Sequence, residues 1–218
     1  RSTLLASSAA LDVYKRQVFI SVFNPEAPSV NDLKGLYVEN NGYVSIDATG
    51  FHRKHEIGEI KFDVVEGLGF DNKVVRLGDP FAKTPYLDGL VLTSNYVAPV
   101  RGNKFPVLEY DFYSFQTGPV DVYTYMMPIF PLDNEHGSRY GVMVDNSPVY
   151  LPEAGAPYYS TLWIQSVLRN CRINKTTHFI DKPGKHTVKI YCAHPGMMLQ
   201  KIVCLLYTSP SPRDRSLS

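Results

Sequence analysis

The chain has 218 residues, with 22 lysines and arginines against 21 aspartates and glutamates, a formal net charge of +1, and 44% hydrophobic residues. That balance holds no basic run able to neutralise a row of phosphates, so nucleic acid is not expected as a partner. No stretch approaches the roughly 18 apolar residues of a spanning helix, so a membrane is not expected either.

The two ends read differently from the rest. One coding of Asp12-Val13-Tyr14-Lys15-Arg16-Gln17 and one coding of Cys204-Leu205-Leu206-Tyr207-Thr208-Ser209 are the same DNA element in opposite orientations, offset by one base. That element resembles the transposase end of sequencing-library adapters. Residues 1–17 and 204–218 are therefore expected to be adapter-derived and are set aside from fold reasoning, and Leu4-Leu5-Ala6 is not read as a signal peptide. Residues 18–35 lack periodicity and contain Asn24-Pro25-Glu26-Ala27-Pro28-Ser29, which reads as a linker. Residues 36–203 then form one domain, large enough to bury a hydrophobic core. Without Arg1, Lys15, Arg16, Arg213, Arg215, Asp12 and Asp214, 17 basic and 19 acidic residues remain, a net charge near −2.

Within 36–203 the pattern is mostly that of strands, expected at 42–48, 59–65 and 90–96. The run Val107-Leu108-Glu109-Tyr110-Asp111-Phe112-Tyr113-Ser114-Phe115 alternates, placing Leu108, Tyr110, Phe112 and Ser114 on one face and Glu109 and Asp111 on the other. Val120-Asp121-Val122-Tyr123-Thr124-Tyr125-Met126-Met127 follows after the turn signal Gln116-Thr117-Gly118-Pro119, so the two runs read as a hairpin. Further strands are expected at 139–145, 149–151, 178–180, 186–192 and 198–203. One helix is expected over Ser160–Asn170, capped by Ser160 or Thr161, with Leu162, Trp163, Ser166 and Val167 near helical spacing. Short strands punctuated by Pro, Gly and Asn give an all-β fold, a jelly-roll-like antiparallel sandwich with one short helix.

Several segments, in order, resemble the C-terminal domain of glycoside hydrolase family 115. They begin with Tyr37–Ala48 and Phe51-His52-Arg53-Lys54, then Gly67-Leu68-Gly69, then Leu108–Tyr113 with Thr117-Gly118, Tyr125 and Pro128. Arg139-Tyr140, Val142 and Asp145 follow, then Trp163 with Val167 and Asn170. The closing Pro183-Gly184-Lys185-His186-Thr187-Val188-Lys189, Pro195-Gly196 and Leu199-Gln200-Lys201-Ile202-Val203 are the most specific. The resemblance implies a parent xylan α-1,2-glucuronidase that removes 4-O-methylglucuronic acid from xylan, secreted or periplasmic, whose catalytic apparatus sits on an upstream barrel. The implied role of this chain is a non-catalytic domain packing on that catalytic domain or on a partner subunit. The alternative is a carbohydrate-binding module for xylan or another plant polysaccharide, and a homodimer is a further partner reading.

The residues themselves offer no catalytic pair: Glu109 and Asp111 share a strand face and are expected to face solvent, and no nucleophile elbow occurs. The histidines His52, His55, His136, His178, His186 and His194 show no ligand spacing, so no metal residues are assigned, and His186 reads as structural. No cofactor is expected beyond a structural calcium, which related jelly rolls bind through oxygen ligands that the sequence does not mark. Cys171 and Cys192 are free to pair or to stay apart, and Asn174-Lys175-Thr176 is a glycosylation sequon. Sugar-binding candidates are Trp163, Tyr158 and Tyr159, whose faces suit pyranose rings, against the reading in which Trp163 packs its helix onto the sheet.

Overall fold

The computed structural model describes residues 28–82, 97–98, 105–130 and 138–206. The first of two sheets contains β1 (Tyr37–Val38), β3 (Arg53–His55), β6 (Val97–Ala98), β7 (Val107–Ser114), β9 (Tyr140–Val144), β10 (Val149–Tyr150) and β12 (Gly184–Cys192). The second contains β2 (Tyr43–Asp47), β4 (Phe62–Glu66), β5 (Lys73–Leu77), β8 (Gly118–Met126), β11 (Arg172–Ile180) and β13 (Met197–Leu206). A four-residue helix α1 (Val30–Leu33) precedes them, and α2 (Thr161–Leu168) lies between β10 and β11. The expected all-β sandwich is the architecture observed; the strand expected at 90–96 lies outside the described residues.

The two sheets are built on the same plan. β7 pairs with β12 along one edge, while its other edge is shared by β3 at Val107–Glu109 and β1 at Phe112–Tyr113. β13 pairs with β8 along one edge, while its other edge is shared by β5 at Met197–Leu199 and β2 at Lys201–Leu205. Inward positions of the long strands carry Leu108, Tyr110 and Phe112, then Val120, Val122 and Met126, then Val188, Ile190 and Cys192, then Leu199, Ile202 and Cys204, all fully buried. Period-two alternation sends one set of side chains into a single core between the sheets and leaves the other set to water. The alternation slips once, between Leu199 and Lys201, where a bulge leaves the Gln200 side chain buried. Its amide accepts from Phe70 N at 3.1 Å and donates to the Asn170 carbonyl at 2.9 Å.

Two expectations are corrected. β7 and β8 do not form a hairpin: β7 lies in the first sheet and β8 in the second, so 115–117 cross between layers. Leu108, Tyr110 and Phe112 of β7 and Val120, Val122 and Met126 of β8 are buried from opposite layers of the core. The crossing is held by Glu39, whose carboxylate accepts from Ser114 Oγ (3.0 Å), Phe115 N (2.7 Å) and Gln116 Nε2 (2.5 Å). The last strand does not stop at Val203. It continues through Leu206, because Cys204 and Leu206 fill inward positions opposite Val44 and beside Gly42, and Leu206 N donates to the Gly42 carbonyl at 2.7 Å.

The register around the bulge predicts unequal costs at neighbouring positions. Ile202→Ala should lower unfolding free energy in urea titration by about 2–5 kcal/mol, the usual cost of emptying a buried aliphatic site. Lys201→Ala, on the outer face, should cost about 0.5 kcal/mol or less. Equal losses would contradict the inward assignment of Ile202.

Candidate functional site

Glu109 and Asp111 share an outer face of β7 as expected, but Asp111 does not face solvent. Arg53, one strand over on β3, donates Nη1 and Nη2 to the two Asp111 oxygens at 2.7 Å each, and its Nε meets Glu109. From β12, Thr187 Oγ1 donates to Asp111 at 2.8 Å and Lys185 Nζ lies 2.9 Å away. The Arg53 guanidinium outweighs burial and, with Lys185 and Thr187, holds the Asp111 carboxyl well below the usual carboxylate range. Two carboxylates bound to one guanidinium cannot divide acid and base roles between them. The cluster ties β3, β7 and β12 together.

Each buried histidine is likewise occupied. His186 Nδ1 lies 2.7 Å from Asp145 Oδ2 and its Nε2 lies 2.9 Å from the Lys182 carbonyl, while Asp145 also accepts from Thr187 N at 2.8 Å. Burial opposes the imidazolium, but Asp145 and the Lys182 carbonyl raise the His186 pKa overall; burial opposes the Asp145 carboxylate, but His186 and Thr187 N lower its pKa. His178 sits between Ser147 Oγ at 2.8 Å and Thr176 Oγ1 at 2.9 Å, and burial lowers its pKa to about 4. Among the described residues no group of three His, Cys, Asp or Glu side chains could hold a metal ion. Cys171 and Cys192 are free and buried, with burial raising their pKa values to about 11 and about 12. The sequon amide is engaged as well: Asn174 Nδ2 donates to Tyr140 Oη at 3.0 Å and to the Glu153 carbonyl at 2.9 Å.

The three sugar-binding candidates do come together, beside α2. Ser160 caps the helix, accepting from Trp163 N at 3.1 Å, and the chain leaves it through Asn170 in the left-handed region (φ +51°) with Cys171 N donating to the Ser166 carbonyl. Yet Ser166 is the helix's only buried residue. Leu162, Ile164 and Val167 are well exposed and Leu168 is 81% exposed, so the helix does not pack as its spacing suggested. Trp163 is half-buried against Phe130 rather than in the core, with ring centroids 5.4 Å apart and planes 25° apart. Tyr158 and Tyr159 remain 63% and 71% exposed, their centroids 4.0 Å apart and planes inclined by 54°. Tyr159 has φ +56°, a conformation a bulky side chain rarely takes. Phe130 was not singled out from sequence. It reaches the patch because neighbouring Ile129 pairs with Gly155 in an isolated bridge, a contact that no local pattern signals.

A family model described as the glycosyl hydrolase family 115 C-terminal domain matches residues 36–208. No curated protein matches the sequence. Among solved structures, the fold is similar to a family GH115 4-O-methyl-α-glucuronidase, BtGH115A, with specificity for decorated arabinogalactans (TM-score 0.51, 18% identity). That match covers 72% of this chain and 18% of that one. Weaker matches include a Podospora anserina GH26-CBM35 β-(1,4)-mannanase (TM-score 0.45, 12% identity, 79% of this chain and 29% of that one). Another is the C-terminal CBM6 of the laminarinase LamC from Zobellia galactanivorans (TM-score 0.41, 12% identity, 75% and 98%).

The His186–Asp145 pair predicts a pH signature. The raised His186 pKa contributes stability that is complete below its unfolded value of 6.5 and is lost as pH rises through the folded value. The lowered Asp145 pKa contributes above 3.8 and is lost as pH falls through its folded value. Thermal unfolding of His186→Gln should therefore show its largest deficit between pH 3.8 and 6.5, narrowing as pH rises beyond 6.5. A deficit independent of pH would contradict the charged pair.

Proposed function

We infer the function of this chain from its family: it belongs to the C-terminal domains of the family 115 glycosyl hydrolases. In a parent enzyme of the xylan α-1,2-glucuronidase kind, it serves as a non-catalytic β-sandwich that packs on the upstream catalytic domain. The observation that carries this reading is α2, whose apolar residues point outward on several faces with only Ser166 buried. A short helix that is apolar all round is ordinarily buried, and a contiguous exposed apolar patch marks a contact surface. The catalytic domain is the natural occupant, because the chain spans only 18% of the glucuronidase whose fold it shares.

The exposure of Tyr158 and Tyr159 favours a second reading, a carbohydrate-binding module using Trp163, Tyr158 and Tyr159. The ring geometry weighs against it. One face of Trp163 is taken by Phe130, and the Tyr158 and Tyr159 planes stand 62° and 66° from that of Trp163, so the rings offer no shared flat platform.

The two readings part on variants of the patch. Ultracentrifugation of the chain with the separately expressed catalytic portion of a family 115 enzyme should show association, weakened on the order of thirtyfold by Leu168→Asp, as expected for an interface anchor. Calorimetric titration with neutral xylohexaose should show no saturating heat. Heat that saturates and disappears in Trp163→Ala would overturn the docking reading in favour of the glycan module.

A further inference from the structure

Beyond the docking surface, the open edge of the second sheet carries a cavity of about 550 Å³ between β11 and the segment from Tyr150 to Pro157. That volume lies within the roughly 300–1,000 Å³ of small-molecule sites. Its wall is mixed: Tyr150, Pro157 and Leu162 are apolar, while Arg172, Asn174 and Thr176 come from β11. β11 pairs only with β8 among the described residues, which leaves its other backbone edge without a strand partner there.

The charge at the cavity is unbalanced at one place. Arg172 Nε is buried and has no hydrogen-bond partner, and Arg172 forms no ion pair among the described residues. A buried guanidinium donor left unsatisfied is costly; Nε itself is sealed from solvent, so a ligand carboxylate would meet the Nη pair, whose N–H groups suit a two-point bond. Lys175, the other cation on the wall, is held by Asp121 at 2.9 Å. Arg139, whose backbone pairs with Glu153 in an isolated bridge, buries Nε and Nη1 without partners as well.

Glu153 sets the second requirement. It lines the same wall, and its carboxylate would repel a bare anion but accept hydrogen bonds from ligand hydroxyls. We propose that this cavity binds a hydroxylated carboxylate the size of a sugar acid, with its carboxylate on Arg172 and its hydroxyls toward Glu153, Asn174 and the edge of β11 away from β8. The apolar wall of Tyr150, Pro157 and Leu162 packs on the carbon skeleton of the ligand.

The test is a titration of the whole chain with glucuronate at low ionic strength, followed by amide chemical shifts, with glucose and acetate as controls. The expected result is saturating shifts in segments 150–157 and 172–176. Glucose lacks the carboxylate and acetate lacks the hydroxyls, and each should bind about tenfold or more weakly, the usual worth of a charged hydrogen bond. Arg172→Gln should weaken glucuronate by a similar factor while shifts elsewhere stay unchanged. Arg172→Lys keeps the charge but not the planar fork, so it tests the same point if the glutamine variant does not fold; it should weaken binding severalfold. Unchanged affinity in either variant overturns the proposal, as does equal binding of acetate and glucuronate, or no saturating shift with glucuronate.

Discussion

The structure depends on two long strand pairs, β7 with β12 and β8 with β13, whose alternating side chains commit one face of each pair to a common interior. Once Leu108, Tyr110 and Phe112 point inward from one layer, and Val122, Met126 and Ile202 from the other, the remaining strands have fixed places. Four short strands attach at the outer edges of β7 and β13, two to each, while β9 adds to β12 and β11 to β8. A one-residue slip would turn every inward group to water, so the register is strongly determined. The single bulge at Gln200 is tolerated because that side chain finds partners in the Phe70 loop and at the end of α2.

The same alternation decides where chemistry can sit. On the outer face of the first sheet Asp111 is bound from β3 and β12, and His186, on the inward side of β12, is tied to Asp145 just past the end of β9. Those groups are structural because their lone pairs are spent on neighbours. Two uncommitted features lie close together: the apolar surface of α2 beside four aromatic rings, and the cavity lined by Arg172, both of which include Leu162. The docking reading assigns the first to a contact surface and the proposed site assigns the second to a ligand.

Much of this was legible in the sequence, and the failures have physical causes. The inward face of β7 and the course of β8 and β12 followed from alternation, because one wet and one dry side leaves a period of two. The false hairpin shows the limit of that signal: a turn sequence marks a reversal, but does not say whether the next strand pairs beside the last or crosses to the other layer. β3 has no apolar residue at all, so alternation gave no strand signal there and did not place Arg53 over Asp111. The helix was found through Ser160 and its length, yet its spacing suggested a packed stripe that the structure turns outward. Tyr158, Tyr159 and Trp163 were grouped because they are close in sequence, whereas Phe130 and Arg172 joined the region through contacts that only the fold creates.

The central claim is that the α2 patch is a protein contact. Amide hydrogen exchange of the segment 157–168, measured in the chain alone and with the catalytic portion of a family 115 enzyme, tests it most directly. The account predicts that exchange across α2 slows when the catalytic portion is added and is unchanged by neutral xylan oligosaccharides. Exchange indifferent to the catalytic portion but slowed by the oligosaccharide would contradict it.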